Sequence, residues 1–176
     1  MTYASAPAPV QGVTFVLGGA RSGKSTYAES LVTAHPPPWT YIATAQAFDA
    51  EMRTRIAAHR DGRVPGWNTV EAPIKLDEAL RAPGPVLVDC LTLWLSNLLL
   101  GEHDIDAATF KLLNSLDRRD PTVLVSNEVG LGIVPDNALA RAFRDAAGRL
   151  HQAVAARADR VVFVVAGLPL ILKGSQ

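Results

Sequence analysis

The chain reads as a single α/β domain with a mostly parallel sheet flanked by helices, and three observations lead there. Short apolar runs alternate along the chain with amphipathic stretches, the pattern of buried strands covered by helices. Gly18-Gly19-Ala20-Arg21-Ser22-Gly23-Lys24-Ser25 is a complete G-x-x-x-x-G-K-[ST] phosphate loop. It stands between an apolar run, Val13 to Leu17, and a helical stretch, Thr26 to Val32, the context that gives the motif physical meaning. Together these specify a phosphate-loop NTPase-like (RecA-like) fold.

The elements follow in order. After the first strand and helix, Trp39 to Ala45 reads as a second strand. Asp49 to Arg60 is helical, with Met52, Ile56 and His59 on one face, and Asp61-Gly62 ends it. Trp67 to Glu71 is a short strand, Ile74 to Arg81 a short helix, and Pro83-Gly84-Pro85 a turn. Val86 to Asp89 is a strand ending in a carboxylate. Leu91 to Leu100 and Ile105 to Leu116 are helices broken at Gly101, and Thr122 to Ser126 is a strand. Asp136 to Arg157 is the longest helix, with Leu139, Phe143, Ala147, Leu150 and Val154 as its buried stripe. Arg160 to Ala166 closes the series as a strand, followed by Leu170 to Leu172.

Composition bounds the function. A length of 176 residues suits one domain with a sizeable core; residues 1–11 are Ala/Pro-rich and read as a loose tail, and residues 12–176 form the nucleotide-binding domain. Seventeen basic residues balance seventeen acidic ones, so there is no electrostatic case for nucleic acid. The single cysteine, Cys90, allows neither an intramolecular disulfide nor a cysteine-based zinc site, which fits a reducing cytoplasm. Residues 1–11 lack the pattern of a signal peptide. The longest apolar run, Val161 to Leu172, is short of the roughly 20 residues a membrane helix needs and reads as buried strand.

The loop assigns jobs to atoms. Its glycines let the backbone curl so that N–H groups converge on a triphosphate, and the helix beginning near Gly23 adds the positive end of its dipole. Lys24 reaches the β- and γ-phosphates, and the Ser25 hydroxyl ligates Mg²⁺. Such a site takes a second metal ligand from a carboxylate at a strand end; Asp89 fits, with capping of the next helix as the competing role. Ser126-Asn127-Glu128 also follows a strand, and it is either a plain polar turn or a place where Glu128 orients or deprotonates an acceptor hydroxyl. His59 stands near Arg60, Arg63 and Glu71; neutral imidazole is a good nucleophile, and arginines beside it suit a phosphate under attack.

The phosphate loop, then Tyr41-Ile42-Ala43-Thr44-Ala45, then Asp49-x-Glu51-Met52-x-x-Arg55-Ile56-x-x-His59-Arg60 resemble the bifunctional adenosylcobinamide kinase/adenosylcobinamide-phosphate guanylyltransferase family of cobalamin biosynthesis. The resemblance continues through Trp67-x-Thr69-Val70-Glu71, Val88-Asp89-Cys90-Leu91-Thr92, Ser126 to Pro135, and Arg141 to Arg149. It implies phosphorylation of the aminopropanol hydroxyl of adenosylcobinamide by GTP or ATP, then transfer of GMP from GTP through a guanylylated histidine, with Mg²⁺ as cofactor. It implies that His59 is that histidine, that Lys24 serves the chemistry, and that Gly18 to Ser25 bind nucleotide. Ala43, Thr44 and Ala45, Arg60, Asp61, Gly62 and Arg63, and Glu71 and Asp89 match further positions around GTP. It also implies a homotrimer, for which the apolar helix Leu91 to Leu100 is a candidate interface, ordinary core being the alternative. Ala58 stands where some relatives carry a second histidine, and Asp89 where some carry Glu. Two other functions share the loop: a small-molecule kinase in which His59 merely packs on Met52 and Ile56, and a regulatory NTPase without nucleotidyl transfer.

Overall fold

A computed structural model of the chain describes residues 9–46 and 64–174. The helix expected over Asp49 to Arg60 and its end at Asp61-Gly62 lie outside the described residues.

Strand β1 (Val13–Gly18) is buried at every position, as its unbroken apolar character requires. It pairs in parallel with β5 (Thr122–Asn127) on one side and β6 (Arg160–Val165) on the other. Beyond β5 lie β4 (Val86–Asp89), β2 (Trp39–Ala43) and the exposed edge strand β3 (Trp67–Glu71). The seven-stranded order is β3-β2-β4-β5-β1-β6-β7, parallel throughout except where β7 (Leu168–Lys173) returns antiparallel to β6. This is the phosphate-loop NTPase-like, RecA-like arrangement that the sequence predicts.

Alternation along the strands divides the core. Val16, Leu87, Val123, Val125, Val162 and Val164 face helix α1 (Lys24–Thr33), where Tyr27, Ala28, Leu31 and Val32 meet them. Phe15, Leu17, Ile42, Val86, Val88 and Leu124 face the other way. That side is covered by α2 (Leu76–Ala79), α3 (Leu91–Leu100), α4 (Ile105–Ser115) and α5 (Ala138–Arg157). Helices α4 and α5 are capped by Asp104 and Asn137, which accept from Ala107 N and Ala140 N at 2.9 and 2.7 Å. Val10, within the expected tail, is buried against the α1 side of the core.

Three sequence expectations are revised, and one left open, the role of helix α3, is decided. The second strand ends at Ala43 rather than Ala45, because Thr44 turns away to bond Cys90. Helix α3 is core: Leu91, Trp94, Leu95 and Leu98 are all essentially inaccessible, so that face is not available to a partner subunit. The stripe of α5 runs through Phe143, Ala147, Leu150 and Val154, but Leu139 in its first turn is exposed and His151 is buried in its place lower down. The run Val161 to Leu172 is a hairpin rather than one buried strand. Ala166 and Gly167 both take positive φ, 51° and 81°, which builds the tight turn between the paired Val165 and Leu168. As a result β7 lies at the sheet edge with Leu168, Leu170 and Leu172 exposed.

Two leucines of α3 give a controlled test of the core. Leu98 is inaccessible and Leu100 is 65 % exposed. In urea unfolding, Leu98→Ala is expected to cost about 2–5 kcal/mol and Leu100→Ala less than about 0.5 kcal/mol.

Candidate active site

Every parallel strand delivers its C-terminal end to one edge of the sheet, where open α/β sheets bind ligands. β1 ends in Gly18, the first residue of the phosphate loop. A side chain there is excluded: a Cβ on Gly18 would lie 2.5 Å from Ser22 Oγ and 2.6 Å from the Val164 carbonyl oxygen. The loop is closed by a bond from Ser22 N to the Gly19 carbonyl at 3.3 Å. It is braced from outside by Gly167 N, in the β6–β7 turn, donating to the Ser22 carbonyl at 2.8 Å. Gly23 caps α1 with φ 92°, a left-handed conformation that suits glycine. The N-terminus of α1 therefore opens at the loop, and Ser25 lies in its first turn. Lys24 is buried and donates from Nζ to its own loop, to the Gly19 carbonyl at 3.2 Å.

β5 lies between β1 and β4, so Asp89 is two strand spacings from the loop strand, about 10 Å. Tyr41 Oη donates to Asp89 Oδ2 at 3.0 Å and orients the carboxylate. The oxygen donors of Ser25 and Asp89 are of the type Mg²⁺ prefers. Among the described residues no group of three or more His, Cys, Asp or Glu side chains gathers as a metal cage.

Ala43 pairs with Asp89, and the chain beyond it is cross-linked to β4. Thr44 Oγ1 donates to the Cys90 carbonyl at 2.7 Å and accepts from Cys90 N at 2.9 Å, both buried. The Thr44 hydroxyl is therefore used within the protein. Asn97 Nδ2, on α3, bonds the carbonyls of Thr44 at 2.8 Å and Pro73 at 3.0 Å, tying together the exits of β2 and β3. Trp94 Nε1 donates to the Ile74 carbonyl at 2.6 Å. These bonds shape an open cleft of about 540 Å³, lined by Val70, Glu71, Ala72, Pro73, Ile74 and Lys75. Glu71 is exposed at the end of β3, four strand spacings from β1, about 19 Å. It is thus too far away to share a metal shell with the loop and belongs to a separate part of the same edge. His59, Arg60, Asp61, Gly62 and Arg63 lie outside the described residues, in the segment that joins β2 to β3.

At the end of β5, Glu128 N donates to the Gly18 carbonyl at 3.0 Å, which puts Glu128 nearer the loop than Asp89 is. Its Oε1 accepts from Gly130 N, and its Oε2 lies 3.7 Å from His151 Nδ1. Burial pushes the His151 pKa below the usual histidine value, against the opposing pull of Glu128. Sequence reasoning passed over His151. The available signal was a histidine four residues after Ala147 and three before Val154, inside an apolar stripe.

The family model described as cobinamide kinase / cobinamide phosphate guanyltransferase matches residues 14–172. The bifunctional adenosylcobalamin biosynthesis protein CobP of Pseudomonas aeruginosa is 50 % identical over 171 residues, 90 % of this chain and 96 % of that protein. The bifunctional adenosylcobalamin biosynthesis proteins CobU of Salmonella typhimurium and Escherichia coli are 43 % and 44 % identical, each over 90 % of this chain and 98 % of theirs. Among solved structures, the flagellar accessory protein FlaH of Methanocaldococcus jannaschii superposes with a TM-score of 0.56 at 12 % identity, covering 96 % of this chain and 80 % of FlaH. That likeness concerns the fold alone.

The doubly bonded Thr44 hydroxyl provides a test of how this edge is held. Thr44→Val keeps the shape but leaves Cys90 N unpaired, the Cys90 carbonyl still accepting from Trp94 N, and is expected to lower stability by about 1–3 kcal/mol in thermal or urea unfolding.

Proposed function

The chain belongs to the cobinamide kinase / cobinamide phosphate guanyltransferase family, and from that premise we propose that it carries out both reactions on adenosylcobinamide. It phosphorylates the aminopropanol hydroxyl with GTP or ATP. It then transfers GMP from GTP to the resulting phosphate, giving adenosylcobinamide-GDP and pyrophosphate. The observation that carries this reading is a complete phosphate loop on a fold whose matched family spans nearly all of the described chain.

In the kinase step the acceptor oxygen attacks the γ-phosphorus, and the bond from that phosphorus to the bridging oxygen breaks. The nucleoside diphosphate leaves with the electron pair, and Lys24 stabilises its charge, freed from the Gly19 carbonyl for that purpose. Backbone N–H groups of Gly19 to Lys24 hold the phosphates. Ser25 and Asp89 would hold Mg²⁺, which supplies neutralisation of the phosphate oxygens. Glu128, beside the loop, takes the proton of the hydroxyl.

In the transfer step an imidazole nitrogen of His59 attacks the α-phosphorus. A nitrogen–phosphorus bond forms, the α–β oxygen bridge breaks and pyrophosphate departs. An oxygen of the corrinoid phosphate then attacks the same phosphorus and frees His59. Arg60 and Arg63 offset charge on the phosphate, and Asp61 and Gly62 complete that segment. Ala43 and Ala45 line the approach at the end of β2, and the buried Thr44 between them holds that backbone in place. The open cleft beside Glu71 is suited to the nucleoside, since it lies far enough from the loop to be a separate contact. The balanced charge and the lone buried Cys90 accord with a small-molecule enzyme of the cytoplasm. Among the described residues no helix is long and apolar enough to cross a membrane.

A homotrimer is the assembly the family resemblance implies. Leu91, Trp94, Leu95 and Leu98 of helix α3 are taken up by the core, and Val165, Leu168 and Leu170 form an exposed apolar patch at the β7 edge, where Phe163 pairs with Leu170 and Val165 with Leu168. In light scattering the wild type is expected at three times the chain mass and Leu170→Asp at the chain mass. A monomeric wild type overturns the trimer.

Incubation with α-labelled GTP tests the transfer reaction. Wild-type protein should retain an acid-labile, alkali-stable label, and His59→Ala should retain none. Phosphorylation of adenosylcobinamide by His59→Ala should persist within about threefold of wild type, because the kinase step does not need the imidazole. A label that survives in His59→Ala rules out His59 as the nucleophile.

A further inference from the structure

Behind the phosphate loop, polar groups from three separate elements join in one line. Asn127 N, on β5, donates to Thr92 Oγ1 at 2.6 Å in the first turn of α3. Thr92 Oγ1 lies 3.0 Å from Ser126 Oγ, and Ser126 Oγ lies 2.8 Å from His151 Nε2 on α5. His151 Nδ1 faces Glu128 Oε2 at 3.7 Å.

The carboxylate at one end sets the tautomer of the ring. A neutral imidazole with its proton on Nδ1 turns that proton toward Glu128 Oε2 and leaves Nε2 to accept from Ser126 Oγ. Thr92 Oγ1 accepts from Asn127 N, and its contact with Ser126 Oγ fixes the serine. The reverse tautomer would set an Nδ1 lone pair against a carboxylate oxygen 3.7 Å away. Burial of the ring, which packs at 5.7 Å from Phe15, favours the neutral form that this arrangement requires.

We infer that His151 is a positioning residue of the phosphoryl-transfer reaction, holding the Glu128 carboxylate beside the phosphate loop where it takes the proton of the acceptor hydroxyl. The inference rests on the kinase reading above. Glu128 Oε1 accepts from Gly130 N, and the imidazole Nδ1 faces Oε2 at 3.7 Å, a polar contact longer than a direct hydrogen bond. Its backbone is tied to Gly18, yet its side chain keeps 22 % exposure, enough to be reached by a substrate. Ser–His–carboxylate order alone would also suggest a nucleophilic serine. Ser126 is wholly inaccessible, so it meets no substrate and serves only to fix the ring. In the transfer, the oxygen–γ-phosphorus bond forms as the bridging bond breaks, the electron pair leaves with the diphosphate, and the hydroxyl proton passes to Glu128.

The test uses the full chain with Mg²⁺, nucleotide and adenosylcobinamide, and reads kinase kcat, the nucleotide KM, and the α-labelled GTP adduct separately. His151→Leu should lower kcat about 10–100-fold, less than the roughly 10²–10⁴-fold of losing the base outright, with KM and adduct within about threefold of wild type. His151→Asn, whose amide can donate toward Glu128 from near the Nδ1 position, should restore kcat to within about fivefold of wild type. Wild-type kcat in His151→Leu overturns the inference. So does an equal fall in kcat and adduct, or failure of His151→Asn to recover beyond His151→Leu, since either marks a residue that only supports folding. If Glu128→Gln keeps full kcat, the proton-acceptor role of Glu128 falls and the positioning role with it, while the kinase itself stands. If wild-type protein forms no corrinoid phosphate, the kinase reading fails independently of any variant.

Discussion

The parallel pairing of β1 with β5 is the constraint on which the site depends. β1 is buried along its whole length, so its position is fixed by packing on both faces and by ladders to β5 and β6. Its register sets Gly18 opposite Asn127, and the bond from Glu128 N to the Gly18 carbonyl carries that register one residue past the strand. The phosphate loop and Glu128 are thereby placed by the same backbone ladder. The turn between β6 and β7 adds a brace on the other side through Gly167 and Ser22. A loop whose work is to present backbone N–H groups gains from being held by backbone bonds, because it then loses little freedom when phosphate arrives.

The buried polar groups at the exits of β2, β3 and β4 are satisfied by one another rather than by solvent. Thr44 bonds both backbone groups of Cys90, Asn97 bonds two carbonyls, and Tyr41 bonds Asp89. Each bond joins the end of one strand to a neighbour, where the ladder itself has stopped. Leaving any such group unpaired costs about 1–3 kcal/mol, so these cross-links specify a single arrangement of the exits of β2, β3 and β4. The effect is a stiff platform about 19 Å wide, with the phosphate loop near one end and Glu71 at the other. A chain that must act on two different phosphorus atoms of a triphosphate has, in that width, room for two sets of contacts.

The sequence was most legible where function is built from neighbours in the chain. The eight residues Gly18 to Ser25 carry their chemistry within one turn, and the flanking strand and helix are plain from apolar spacing. Asp89 was also readable, as a carboxylate ending an apolar run. Edges and faces were less so. The apolar character of α3 does not say whether it meets the core or another subunit, and that of Val161 to Leu172 does not say that half of it will lie exposed at an edge. Burial is a property of what lies opposite, which periodicity does not encode.

By itself, then, the sequence determined the fold class, the phosphate loop, the strand-end carboxylate and, through the order of its motifs, the family. Only the tertiary structure decided the partners of Glu128. Thr92 and Ser126 are 34 residues apart, and Ser126 and His151 are 25 apart. No local pattern links a helix start, a strand end and the middle of a long helix. They meet because α3 and α5 pack on the same face of the sheet beside β5. His151 reads in the sequence as one polar interruption of an apolar stripe. Its ring acquires an orientation only when Ser126 and Glu128 are brought to its two nitrogens in three dimensions.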